Sequence, residues 1–208
     1  MTGGVVYTAF SREHNVRKLK RNPGLNLLWA LDFNVDPLSS VVVQIEDGVA
    51  KVIDEVVLRH SSTEEICGEF VKRYGKHRLP VEVFGDASGY QQRTTGNTDY
   101  DIIAEYLKAH TTLQVQYRAA RANPSVRERV MLVNRLLRSA LGETSVYVNE
   151  NCEELMKDFE QVAYKEDTFE IDKNRDRMRT HISDALGYLL WEVYHTDGGC
   201  GYRNQRIV

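Results

Sequence analysis

The chain is poor in cysteine, and its three residues, Cys67, Cys152 and Cys200, show neither a CxxC pair nor a Cys/His spacing. That excludes a legible zinc or disulfide framework and reads as reduced thiols in an intracellular protein. No run approaches the ~20 apolar residues needed to span a bilayer, and no signal-like segment opens the chain, so a soluble protein is expected. There is no GxxxxGK[ST] loop and no strand-linked GxGxxG, which leaves neither an ATPase nor a dinucleotide site supported. An excess of one charge is missing too: 27 Lys+Arg against 30 Asp+Glu give a net charge of -3. Such a balance advertises no nucleic-acid binding by the whole chain, although a basic groove beside an acidic cluster averages to the same value. No internal repeat or low-complexity run occurs, and 208 residues are enough for one generous domain with a real core.

What is present is organised around Trp29 to Gln44, an apolar strand that ends in Asp32, turns at Asn34 to Pro37 and returns β-branched. Leu27 to Phe33, Ser40 to Glu46 and Ala50 to Leu58 read as three sequential strands, with Asp47 and Gly48 as a hairpin signal. Ser61 to Glu65 looks like a capped helix start, the helix running to about Tyr74 and ending at Gly75. Val81 to Gly85 follows this helical crossover, which predicts a strand parallel to the first. Asp99 to Leu107 reads as an amphipathic helix and Leu113 to Tyr117 as a strand. A further helix starts with Asn123 or Ser125 as cap and sets Val126, Val130, Val133 and Leu137 on one face. Ser145 to Val148 reads as a strand, Asn149 to Ala163 as a helix and Tyr164 to Ile171 as a hairpin around Glu166 and Asp167. The last helix carries His181 to Trp191 and is closed by Gly198 and Gly199. Residues 1–25 read as a lead-in segment packed on the domain, 26–196 as the domain and 197–208 as a flexible tail.

An Asp inside a Leu- and Val-rich strand costs several kcal/mol unless it is hydrogen-bonded, paired or bound to a cation. Asp32 therefore needs a partner, and two more acids offer one: Asp86 at the end of the second apolar strand and Asp184 on the first turns of the last helix. Parallel strands would bring Asp32 and Asp86 to the same sheet edge, where α/β sheets carry their sites. Three carboxylates from three elements suggest a divalent metal site, and hard oxygen ligands suit Mg²⁺ or Mn²⁺. Against this stand plainer uses, a strand-end turn or cap for Asp32 and Asp86 and a helix-dipole position for Asp184. Asp36, before Pro37, is first of all a turn residue and only second a metal ligand. His181 shares a helix face with Asp184 and is a candidate ligand, proton shuttle or phosphate contact, or simply a helix-start histidine.

The basic residues fall into two groups, Arg118, Arg121, Arg127 and Arg129 around a loop and helix start, and Lys173, Arg175, Arg177 and Arg179 before the last helix. Phosphate contact and ordinary solvated charge both stay open for them. Position beside the acids favours DNA for the 173–179 group, and Ser88, Gly89 and Arg93 follow Asp86 closely enough to line the same cleft. Trp29, Tyr188 and Trp191 have core-like spacing and no assigned function.

Three meandering strands, a helix, a parallel strand and further helix/strand units resemble the ribonuclease H-like architecture, an α/β class with a mixed sheet flanked by helices. The ordered segments Leu31 to Val42, Phe84 to Arg93 and His181 to Tyr188 resemble the C-terminal nuclease domain of the large terminase subunit of tailed phages, over about residues 5 to 195. The resemblance implies an endonuclease that cuts concatemeric double-stranded viral DNA at the start and end of capsid filling, in the host cytoplasm. It implies a two-metal Mg²⁺ or Mn²⁺ site on Asp32, Asp86 and Asp184, which can hold both the attacking water and the leaving oxygen without a protein nucleophile. It also implies an N-terminal packaging ATPase domain, a portal and a small terminase subunit as partners, with the Tyr164 to Ile171 hairpin flanking the DNA. Rival readings are another ribonuclease H-like nuclease of resolvase or integrase type, and a sugar-kinase or actin-like ATP binder, whose glycines are missing at Asn34 and Val35. A non-catalytic capsid- or DNA-docking module would not need the acids at all.

Overall fold

Strands that are apolar without alternation must be covered on both faces, and the centre of this protein is built that way. The computed structural model describes residues 4–34, 36–94, 96–166, 168, 170–173 and 175–195. Its elements are α1 (Arg12–Asn15), β1 (Val16–Arg17), β2 (Leu27–Asp32), β3 (Leu38–Glu46), β4 (Val49–Leu58), α2 (Thr63–Tyr74) and β5 (Val81–Gly85), then α3 (Asp99–His110), β6 (Val115–Tyr117), α4 (Val126–Leu137), β7 (Val146–Asn149), α5 (Glu153–Gln161) and α6 (His181–Tyr194). The seven strands lie in the order β1-β7-β4-β3-β2-β5-β6. β2, β3 and β4 form the expected antiparallel meander, and β5 pairs parallel to β2 after the α2 crossover. β6, β7 and β1 add parallel edges. The mixed sheet expected of a ribonuclease H-like chain is the one that forms.

Alternate residues of β2 serve different cores. Leu28 and Ala30 face one packed by α4, α5 and α6, while Leu27, Trp29 and Leu31 face one packed by α2 and α3. In the second, the Trp29 and Phe70 rings stack at 4.1 Å, and neither side chain is accessible to solvent. α6 lies across β2, β3 and β5, and its burial on nearly every side explains its high apolar content.

The helices begin where the caps predict. Ser62 and Glu65 form a reciprocal capping box for α2, as Thr98 and Asp101 do for α3. Of the two cap candidates for α4, Ser125 accepts from Glu128 N. Asn123 instead accepts from the backbone N–H of Ala87 at 2.8 Å and so ties the loop before α4 to the end of β5.

Residues before 26 do more than lead in. Val6 and Tyr7 are buried, β1 extends the sheet, and the buried Asn15 amide donates to the carbonyls of Leu137 and Val146 at 2.9 and 3.1 Å. A two-residue strand paired with Val148 and Asn149, far along the chain, leaves no local pattern to read. The Tyr164 to Ile171 hairpin is present as an antiparallel bridge, with Lys165 N donating to Glu170 O at 2.8 Å; Asp167 at its turn lies outside the described residues. So do Cys200, Gly198, Gly199 and the 197–208 tail. Cys67 and Cys152 are free and buried, and burial pushes the Cys67 thiol up to about 12. No helix among the described residues is long and apolar enough to cross a membrane.

Candidate metal centre and nucleic-acid interface

Register decides where the acids meet. Leu31 of β2 stands opposite Gly85 of β5, so Asp32 and Asp86 are the next residues on two adjacent parallel strands, at their carboxyl ends. α6 brings Asp184 from its first turn to the same place. The charges of Asp184 and Asp86 both act on the Asp32 carboxyl, and all three acids act on the hydroxyl of Tyr188 one turn further along α6. Asp86 is 9% exposed and Asp184 is 5% exposed, so these carboxylates gather in a place that water does not fully solvate.

Each acid is held differently. Asp32 Oδ2 lies 2.8 Å from His181 Nδ1, whose Nε2 lies 3.1 Å from the carbonyl oxygen of Arg177. Burial raises the Asp32 carboxyl above its ordinary range, the His181 hydrogen bond offsets part of this, and the neighbouring acids add to it. Burial alone would lower the His181 imidazole, but the hydrogen bond and charge of Asp32 outweigh it and leave His181 raised. Both shifts run the same way, so the contact retains a proton more firmly than either group alone. Asp184 Oδ1 meets Arg129 Nη2 at 2.8 Å, and its Oδ2 faces Lys173 Nζ at 3.7 Å. Asp86 Oδ1 is buried without a hydrogen-bond partner among the described residues.

The acids therefore converge, yet among the described residues no three His, Cys, Asp or Glu side chains stand ready to hold a metal ion. Asp184 is turned to Arg129 and Lys173, and Asp32 to His181. The orphaned oxygen of Asp86 and an all-carboxylate donor set nevertheless fit a hard divalent cation.

No protein-family model matches the sequence, and no curated protein matches it either. Solved structures do. The nuclease domain of the P22 large terminase superposes with a TM-score of 0.64 at 16% identity, covering 89% of this chain and 90% of that one. The SPP1 large-terminase nuclease domain with bound Mn gives 0.57 at 16% identity, with 91% and 98% covered. The large terminase of a thermophilic bacteriophage gives 0.63 at 16% identity over 92% of this chain. The chain has the terminase nuclease fold. It spans 46% of that thermophilic phage terminase, a protein also solved with ATP-gamma-S and with ADP.

Within that fold the other candidate residues take the following places. Arg179 is 9% exposed and makes ion pairs with Glu154, Asp158 and Asp176 at 2.5, 3.2 and 3.5 Å. Arg93 pairs with Asp99 and donates to Thr63, which pins the loop after Asp86 to the starts of α2 and α3. Asp36, on a cis bond to Pro37, pairs with Arg59 at 3.3 Å and His60 at 3.4 Å; the Arg59 hydrogen bond holds its carboxyl below the usual range. Lys173, Arg177 and Arg179 line a cleft of about 190 Å³ together with Asn34, Asp36, Thr180 and His181, beside Asp32. Arg175 and Arg177 are exposed.

Two residues near the acids carry no local signal in the sequence. Arg129, which reads there as one of a group of arginines open to phosphate contact or plain solvation, is 3% exposed. Tyr188, core-like by its spacing, is half-buried with its ring 4.2 Å from the Arg129 guanidinium, and burial raises its hydroxyl above the usual range. Thr180, just before α6, has φ of 82°, an unusual backbone for a β-branched residue.

The loop after Asp86 also explains Gly89. A Cβ there would fall 2.7 Å from the Tyr100 ring and inside the contact distance of the Phe33 ring. Gly89→Ala is expected to destabilise by about 1–3 kcal/mol, read as a shift in urea midpoint at unchanged slope. An unchanged midpoint would mean that the loop yields to the added methyl without cost.

Proposed function

We propose that this chain is the nuclease portion of a phage DNA-packaging terminase, a divalent-metal-dependent endonuclease hydrolysing phosphodiester bonds in double-stranded viral DNA concatemers. The observation that carries the reading is the meeting of Asp32, Asp86 and Asp184 at the carboxyl ends of β2 and β5 under α6, with an Asp86 oxygen lacking a partner among the described residues. That the chain shares its fold with terminase nuclease domains, one of them with bound Mn, supports it. Asp32, Asp86 and Asp184 would hold two Mg²⁺ or Mn²⁺ ions. Such ions supply an activated water and charge stabilisation for the leaving oxygen.

The protein's own part is positioning and charge. His181 orients Asp32 through Nδ1 and is itself fixed by the Arg177 carbonyl. Lys173 and Arg177 line the cleft beside His181, and with the exposed Arg175 they would hold phosphates without reading bases. We take residues 26–196 as the nuclease domain with the preceding segment packed on it, joined in the full-length subunit to an N-terminal packaging ATPase. A portal, a small terminase subunit and the host cytoplasm complete the proposed setting.

The test is incubation of supercoiled plasmid with the protein in Mn²⁺, Mg²⁺ or chelator. Nicked and linear products with metal and none with chelator are expected; intact plasmid in every condition would leave a non-catalytic docking module as the better reading. DNA affinity should fall steeply with salt. In calcium, used to suppress cutting, Arg175→Gln with Arg177→Gln should lower the salt slope by up to about 0.9 per lost phosphate contact. Parallel lines of equal height for variant and wild type would remove these arginines from the DNA path.

A further inference from the structure

Arg129 stands out because it is a buried cation that no step of the nuclease reading uses. Its guanidinium makes two contacts with one residue: Nη2 meets Asp184 Oδ1 at 2.8 Å, and Nη1 donates to the Asp184 main-chain carbonyl at 3.1 Å. The fork therefore grips the carboxylate and the backbone that carries it at once. The face of the guanidinium rests on the Tyr188 ring, and its stem lies against the backbone of α6 at Gly187, where a Cβ would come within 3.1 Å of Arg129 Cδ and Nη1. A glycine in mid-helix is unfavourable in itself, and close approach of the arginine gives a reason for it here.

We propose that Arg129 is the positioning residue for Asp184, holding Oδ1 and leaving Oδ2, which faces the exposed Lys173 Nζ at 3.7 Å, to the candidate metal centre. The inference rests on the nuclease reading and deepens it. Arg129 is 3% exposed, so its influence on the centre runs through Asp184 rather than through a contact of its own with substrate. Lysine could supply the charge but not the two-pronged grip, which separates positioning from simple charge balance. Gly187→Ala is the complementary change, since it keeps the arginine and the charge while pushing on the stem.

The experiment compares wild type, Arg129→Lys and Gly187→Ala in the 208-residue chain. Circular dichroism reports the fold, Mn²⁺ titration followed by electron paramagnetic resonance reports affinity, and plasmid nicking reports rate. Both variants are expected to fold and to lose about 10- to 100-fold in Mn²⁺ affinity or in nicking rate. Wild-type affinity and rate in a folded Arg129→Lys would overturn the proposal, since charge alone would then suffice. If that variant fails to fold, a folded Gly187→Ala with wild-type properties overturns it equally, and loss of fold in both would assign the pair a purely structural role. A wild-type protein that neither binds Mn²⁺ nor nicks DNA would overturn the nuclease reading itself, and this proposal with it.

Discussion

Asp32→Asn, Asp86→Asn and Asp184→Asn are each expected to reduce plasmid cleavage in Mn²⁺ to the level seen with chelator, while parting company in stability. Asparagine keeps the shape of each side chain and removes only the charge, so loss of cutting would trace to the carboxylates as ligands. Stability depends on what each charge meets. Asp32 is pushed up by burial and by the neighbouring acids, and Asp86 carries a buried oxygen with no partner among the described residues. Neutralising either relieves like-charge repulsion, and in chelator both variants should melt at or above the wild-type temperature. Asp184 is the opposite case because its partner Arg129 is buried with it. Removing one member of a buried pair strands the other, at about 3–5 kcal/mol, so Asp184→Asn should show a clearly lower urea midpoint. Variants that still cut would sink the site assignment; an Asp184→Asn protein as stable as wild type would sink the account of the pair.

The same contrast separates what is legible in the sequence from what is not. β2 and β5 are legible because a run such as Leu27 to Leu31 is apolar on both faces, and an Asp closing such a run is costly enough to demand an explanation. The parallel pairing follows from the α2 crossover between them, so chain order alone brings Asp32 and Asp86 to one edge. Asp184 is weaker in the sequence, since an acid in the first turn of a helix is ordinary by itself; it is marked as a third acid from a third element and by its resemblance to a known motif.

Arg129 is illegible for a physical reason. The 3.6-residue period of α4 identifies Val126, Val130, Val133 and Leu137 as one face, and Arg129 falls beside it with nothing local to mark it as buried. Its burial is dictated by Asp184, 55 residues away. Arg179 misleads in the same manner, sitting within a run of exposed basic residues while answering to Asp158 on α5. Periodicity reports which face a helix buries, whereas a pair of charges is specified by tertiary contact alone, and both arginines belong to such pairs.

Arg179→Met should cost stability rather than DNA affinity, and the cost should depend on pH. Asp158 is fully buried, and Arg179 Nη1 at 3.2 Å and the Ser183 N–H at 3.1 Å are what its carboxylate meets there. Burial nonetheless pushes the Asp158 carboxyl up to about 7, with the Ser183 and Arg179 contacts offsetting part of the rise. A carboxyl raised on folding favours the native state most below its unfolded value, and that contribution is lost as pH rises through about 7. Without Arg179 the carboxyl moves higher still, so the variant loses more than wild type over the same climb. Because the extra loss accrues only above about pH 7, the deficit at about pH 8 should exceed its value at about pH 5 by up to about 1.4 kcal/mol. Towards about pH 5 Asp158 is protonated in both proteins and the deficit should shrink to the packing lost with the side chain. Glu154 and Asp176 add little, since exposed or half-exposed pairs are worth about 0–1 kcal/mol. Urea melts across this pH range, with DNA affinity against salt measured on the folded variant, separate the two roles: a variant that melts as wild type does at every pH, together with a reduced salt slope, would return Arg179 to the DNA path beside Arg175 and Arg177.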